Sequence, residues 1–337
     1  MSTPESDPIA RMMDLSLGYC RSQGLGTIAR LGIADLLEAG PRSTQDLAAS
    51  AGADEKALYR LLRALAAEGI FDECERGTFA LNEAAEGLRT NHPRSVRWFA
   101  AAMCDHAHWQ PWGQAYEAVV QGKSQTQRVL GASPWEYLSG SPEEAGRFGR
   151  AMSNMSRQAI HGITTHCDFS GLSHIVDVGG NRGTLLLDIL SSQPKARGTI
   201  FDLPPVIEVA RRELEGHELA DRVELTSGSF FEAVPPGADA YLLKHILHDW
   251  PDDACERILA SVRAAIPAHG RLFVFDALLV PEAPGWAHWL DVHMFVLQDG
   301  KERSPDEFRA LLQRTGFRME RADSIPAPVG IVEAVPA

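Results

Sequence analysis

The hydrophobic positions change period once along the chain. Up to about residue 165, apolar residues recur at helical spacing with few strand signals; beyond it, short Val/Ile/Leu/Phe runs alternate with helical stretches. In LGIADLLEAGPRSTQDLAASAGADEKALYRLLRALAAEGIFDECERGTFALN the helical pattern turns at Gly40-Pro41 and ends in two short strands about Arg76-Gly77. That is a winged-helix pattern. Its helix ALYRLLRALAAEGI puts Leu58, Leu61, Leu62 and Leu65 on one face, and the acids Asp54 and Glu55 open it. Residues 94 to 165 add aromatic-rich helices without a repeat, which either line a pocket or simply pack.

The second half reads as strands HIVDVGG, RGTIFDLP, RVELTSGSF, ADAYLLKHI and GRLFVFDALL, whose continuous apolar character predicts parallel pairing with both faces covered. Between and after them, PDDACERILASVRAAIP starts a helix at Pro251 with Ile258, Leu259, Val262 and Ile266 along one stripe. SPDEFRALLQRTGF carries a capping box at Ser304 and Glu307, Pro305 in its first turn and Gly316 at its exit. FRMERADSI and VGIVEAV close the chain as an edge hairpin with one strand antiparallel. The whole predicts a doubly wound α/β sheet, with ligands at the carboxyl ends of its strands. The change of grammar near CDFSGLS gives the expected division: 1–98, 99–166 and 167–337.

Charge narrows the partners. With 32 basic against 45 acidic side chains the net charge is −13, which repels nucleic acid and anionic membranes and suits a small neutral or cationic ligand. In the winged-helix region only Arg60 and Arg63 face a would-be phosphate backbone, so packing and dimerisation are favoured over DNA reading. The five cysteines are scattered, with no CxxC pair, which fits reduced thiols in the cytoplasm rather than a disulfide framework or zinc site. The acidic N-terminus MSTPESDPIARMMDLS lacks a secretory pattern, and no long uncharged apolar segment occurs.

The first strand runs into VDVGGNRGTLLLDIL. Gly179, Gly180 and Gly183 after Asp177 read DxGGxxG rather than the GxGxxG of a dinucleotide site, which places a nicotinamide dehydrogenase last among the candidates. An acid at that turn sits badly against a pyrophosphate but suits a cationic ligand such as S-adenosylmethionine. Asp202 ends the second strand where a carboxylate can accept ribose hydroxyls, a feature dehydrogenases share.

These motifs, with GSFF, LLKHILHDWPDD and DGKERSPDEF in order, resemble the S-adenosylmethionine-dependent O-methyltransferases of the plant caffeate type and their bacterial natural-product relatives, over nearly the whole chain. The resemblance implies a Rossmann-like methyltransferase domain behind an α-helical winged-helix dimerisation domain, a homodimer, and an aromatic hydroxylated substrate. It implies that Gly179 belongs to the cofactor turn with Asp177, Gly180 and Gly183, that Asp202 and Leu203 meet the ribose end, Ser229 and Phe230 the adenine, and Lys244 the outer wall. Three residues depart from the pattern: Asn181 for a frequent glycine, Ser229 for a frequent aspartate, and Asp276 for the glutamate of plant members.

His245 and His248 stand three apart beside three aspartates. At a strand end, residues three apart face opposite sides, a helical turn there being the alternative, so a shared metal is disfavoured and no metal is expected. By resemblance His248 is the general base, with Asp276 and Glu302 orienting it; imidazole near 6.5 can take the proton of a phenol as methyl moves. His245 and Asp249 are read as structural, the latter as a cap for the helix begun at Pro251. Trp250 either walls the adenine or packs beneath the helix. Met103, Met152, Met155, His293 and Met294 are candidates to clamp a flat ring, with core packing the standing alternative, and Phe99 and Trp109 are weaker candidates. Rival readings are a winged-helix ligand sensor and a cofactor-keeping enzyme that no longer methylates.

Overall fold

A computed structural model of the chain describes residues 7–337; the first six residues of the acidic N-terminal stretch lie outside it. The chain falls into two compact units, one of residues 1–109 and 143–154, the other of 110–142 and 155–337, so the region 99–166 contributes to both.

In the first unit the strands Arg42–Ser43, Thr78–Ala80 and Asp72–Glu75 form an antiparallel sheet in that order, flanked by the helices Thr44–Ala51 and Glu55–Ala67. Asp54 caps the second helix by accepting from the Ala57 N–H at 2.8 Å. Leu58, Leu62 and Leu65, spaced i, i+4 and i+7, bury one face against Ile28, Ile33, Leu47 and Phe79. Leu61, expected on that face, is only half-buried. The helix Pro8–Ser16 buries none of its residues and leaves Ile9, Met12, Met13 and Leu15 exposed, an apolar surface in want of a partner.

The second unit is a seven-stranded sheet. Its strands are β1 (His174–Val178), β2 (Arg197–Asp202), β3 (Val223–Ser227), β4 (Ala240–Lys244), β5 (Arg271–Phe275), β6 (Phe317–Ser324) and β7 (Gly330–Pro336). The order is β3-β2-β1-β4-β5-β7-β6; the first five are parallel, and β7 runs antiparallel to both β5 and β6. Apolar residues on both faces of these strands disappear under helices, giving two cores on either side of the sheet. The predicted helix signals hold: Ser304 and Glu307 form a reciprocal capping box on Pro305–Arg314, and Ile258, Leu259 and Val262 are buried along Asp252–Ala265. Chain order reverses between β1 and β4. A switch point of this kind is where a doubly wound sheet takes its ligands, and Gly179, Asp202, Lys244 and His248 all lie at or just after the carboxyl ends of β1, β2 and β4. Among the described residues no helix is long and apolar enough to cross a membrane.

Candidate active site

The turn after β1 forms one wall. Gly179 adopts φ +70°, and a Cβ there would stand 2.4 Å from Ile246 Cδ1 and 3.9 Å from the Phe230 ring, so the turn, β4's end and Phe230 border one space. Asn181 also takes a positive φ, of 51°, a conformation that asparagine tolerates and that explains why glycine serves as well. Asp177 is enclosed beneath the turn and only 3% exposed. Burial pushes its carboxyl up to about 7 against the opposing pull of Lys244, so it acts across the turn rather than at an open surface. Lys244 ends β4, where burial lowers its amine to about 8 while Asp177 opposes.

Asp202 ends β2. Its Oδ1 accepts from the Leu203 N–H at 2.7 Å and its Oδ2 from the Asn181 N–H at 2.8 Å, leaving each oxygen a further lone pair for a bound diol. Leu203 beside it is 42% exposed, an apolar ledge for a flat group. Ser229 Oγ accepts from the Phe231 N–H at 3.3 Å. Trp250 meets Phe230 and Phe231 edge-on and stacks on Trp135, so packing is the role visible here. A glycine turn closely packed by Ile246, a carboxylate with both oxygens already accepting backbone N–H groups and an apolar ledge are a set that fits an adenosyl group carrying a positive charge. Replacing Asp202 with alanine is expected to weaken S-adenosylhomocysteine binding by about 10²-fold, since two hydrogen bonds to a charged acceptor are lost; calorimetric titration checks this, and equal affinity would refute the ribose role.

The second wall is the connection after β4. His245 adopts φ +53°, and Leu247–Asp249 forms a 3₁₀ turn. His248 is held from three sides. Its backbone N–H donates to Asp276 Oδ2 at 3.2 Å, its ring Nδ1 lies 2.6 Å from Glu302 Oε1, and Nε2 is 3.5 Å from Asp249 Oδ1. With Nδ1–H given to Glu302, Nε2 is left for a substrate proton. Burial alone would disfavour a charged ring; Glu302, then Asp249, more than reverse this and push His248 up to about 10. Burial raises Asp276, Glu302 and Asp249, the last to about 7, while the imidazole pulls each the other way, so the group titrates as a unit.

Two expectations are corrected here. His245 and His248 do not face opposite sides: the left-handed residue and the 3₁₀ turn replace an extended strand end, and the two rings stack with centroids 5.0 Å apart and planes at 26°. Asp249 is no helix cap, since Pro251 occupies the N-cap position without a side-chain cap; Asp249 instead faces His248 and accepts from Gln298. The acids also divide their work, Glu302 holding the imidazole and Asp276 only the backbone N–H.

Residues that the motifs did not single out hold the His248 turn in place. Arg303, 1% exposed, donates to the carbonyls of Leu247 at 2.8 Å and Trp250 at 3.0 Å and pairs with Asp252, clamping the 3₁₀ turn from both ends. Gly300 lies so close beneath that turn that a Cβ would come within 2.2 Å of the His248 carbonyl oxygen. Asp291 accepts the Glu302 N–H at 3.0 Å. A charged residue adjoining Glu302 in KER was the available signal for Arg303.

Of the ring-clamp candidates, Met103 and Met152 belong to the first unit, and Met155, His293 and Met294 to the second. Met294 lies one turn from Gln298, whose amide reaches both Asp249 and the Met294 sulfur, the latter at 3.8 Å. His293 accepts from the Trp112 indole N–H at 2.7 Å, with the two rings stacked 6.0 Å apart.

Comparison with known proteins identifies the family. The O-methyltransferase domain model matches residues 112–318, and the O-methyltransferase dimerisation domain model matches residues 13–91. A phenazine O-methyltransferase of Lysobacter antibioticus is 37% identical over 96% of this chain and 95% of its own. The mitomycin biosynthesis 6-O-methyltransferase of Streptomyces lavendulae is 38% identical over 96% of this chain and 92% of its own. The crystal structure of LaPhzM superposes with a TM-score of 0.94 at 36% identity, covering 98% of this chain and 100% of that one. Other solved neighbours hold S-adenosylmethionine or S-adenosylhomocysteine, and N-methylating enzymes occur among the relatives. The chain belongs to the O-methyltransferase family, as a methyltransferase with a dimerisation domain.

Proposed function

We propose that this enzyme transfers the methyl group of S-adenosylmethionine to a hydroxyl of an aromatic small molecule, with His248 accepting the proton, without a metal requirement. The observation that carries the reading is the His248 ring, fixed by Glu302 at 2.6 Å with Nε2 left over. The cofactor supplies a sulfonium methyl that needs no further activation. Asp202, Leu203, Gly179 and Phe230 hold its adenosyl end, Ser229 and Lys244 standing at the same rim. The remaining task is to align an acceptor oxygen and remove its proton. A base near 10 is matched to a phenol, whose own pKa is about 10, so the proton moves at little thermodynamic cost. Met155, His293 and Met294 are the candidates for the acceptor's ring.

The matched dimerisation domain and the exposed apolar helix Pro8–Ser16 support a homodimer, and the net charge of −13 supports a small molecule rather than nucleic acid or a membrane as partner, in the cytoplasm. N-methylating relatives make an aryl amine the second acceptor class. A base of raised pKa favours oxygen, because a neutral aryl amine attacks before it must lose a proton.

The sign of the pH dependence follows. Only the deprotonated imidazole accepts, so kcat/KM is expected to climb with pH through the neutral range toward about 10. Glu302→Gln removes the carboxylate that favours the imidazolium, lowers the ring's pKa, and should shift the ascending limb to lower pH while reducing its plateau. A profile that keeps the wild-type limb would contradict the pairing.

A further inference from the structure

The ring of His245 has no role in the proton transfer just described, yet it lies against the base at a 5.0 Å centroid separation, 9% exposed, with neither nitrogen hydrogen-bonded. The backbone there holds a left-handed φ of 53°, a conformation uncommon outside glycine that histidine, like asparagine and aspartate, adopts more readily than most residues. Asp276 Oδ1 is likewise buried without a partner, its other oxygen being taken by the His248 N–H. One donor atom from each of His245, His248 and Asp276 lies within 4.8 Å of the other two. Because Glu302 holds Nδ1 of His248, the nitrogen left for an ion is Nε2.

We propose that His245, His248 and Asp276 form a site for a divalent transition ion of the zinc, cobalt or nickel class, and that such an ion silences the enzyme by occupying the nitrogen of the base. Two imidazoles and one carboxylate are the donor set these ions prefer over magnesium or calcium, and three protein ligands leave a fourth position open. Three buried carboxylates, Asp249, Asp276 and Glu302, surround a single imidazole, and a divalent cation compensates that negative charge; Lys244 and Arg303 compensate part of it already. The three donor atoms already lie within 4.8 Å of one another, and drawing them to the spacing of coordinated atoms breaks no hydrogen bond at His245. The inhibitory half rests on His248 being the base; the binding half stands by itself.

The test is titration of the metal-free dimer with Co²⁺ and Zn²⁺, read by calorimetry and by the visible absorption of Co²⁺, alongside methyl transfer. One equivalent per chain is expected, with tetrahedral Co²⁺ bands, loss of turnover at stoichiometric Zn²⁺, and recovery with a chelator. His245→Asn, which keeps a residue tolerant of positive φ, should weaken metal binding by roughly 10- to 100-fold while retaining metal-free turnover. Asp276→Asn should weaken the same binding signal. Binding unchanged in both variants, or no binding by the wild type, overturns the site; binding that leaves turnover intact or raises it overturns the inhibition.

Discussion

His248→Ala should lower kcat by about 10²–10⁴-fold while S-adenosylhomocysteine binds as before. The imidazole is the only nitrogen base the turn after β4 presents with a partner behind it, Glu302 at 2.6 Å from Nδ1. The residues placed around the adenosyl group, Gly179, Asp202 and Leu203, lie on the β1 and β2 turns and make no hydrogen bond to His248. Proton transfer and cofactor binding are therefore separable by one substitution. The variant also leaves Glu302 buried beside an empty space, which costs stability on the scale of about 3–5 kcal/mol for a broken buried pair. Its thermal midpoint must accordingly be measured with its kinetics. Unchanged turnover in a folded variant would remove the mechanism.

Gly300→Ala should be nearly as damaging although it alters no chemical group. The added Cβ would meet the His248 carbonyl oxygen at 2.2 Å and the Asp249 carbonyl carbon at 2.8 Å, both backbone atoms that cannot swing aside. Either the 3₁₀ turn or the loop carrying Glu302 must shift, and Arg303 ties the two together through Leu247 and Trp250. Overpacking of this kind costs about 1–3 kcal/mol, and a displacement near 1 Å at the reacting groups can cost about 10²-fold in rate. A fall of several degrees in the thermal midpoint together with a loss of kcat is the expected pair of readings. Alanine tolerated in both would mean the turn is not held in place from below.

Much of the fold could be read from local patterns because those patterns have local causes. The strand runs of β1 to β5, the edge hairpin β6-β7 and the capping box at Ser304 each follow from residues within a few positions of one another. The site is different. His248 and Glu302 are 54 residues apart; the order of strands and helices places both at one sheet edge, and the family resemblance assigns both acids to orient the ring, but which acid holds it is visible only in the fold. Period-two reasoning failed at His245 because a single left-handed residue ends the strand, a conformation that histidine adopts more readily than most residues but that no glycine or asparagine marks there. Asp249 beside Pro251 has the composition of a helix cap, yet the His248 imidazole and the Gln298 amide take its carboxylate instead. Arg303 reaches backbone carbonyls 56 and 53 residues earlier, and Gly300 the backbone of His248 and Asp249, close approaches visible only once the chain is folded.

The most direct test is methyl transfer from labelled S-adenosylmethionine to a panel of phenols, each paired with its methyl ether and its aryl-amine counterpart, with wild type and His248→Ala in parallel. Label should appear on free phenolic oxygen, be absent from the blocked ethers, and fall with the alanine variant. Transfer that proceeds equally in the variant, or labels only the amines, would contradict the assignment of His248 as the base for an aromatic hydroxyl.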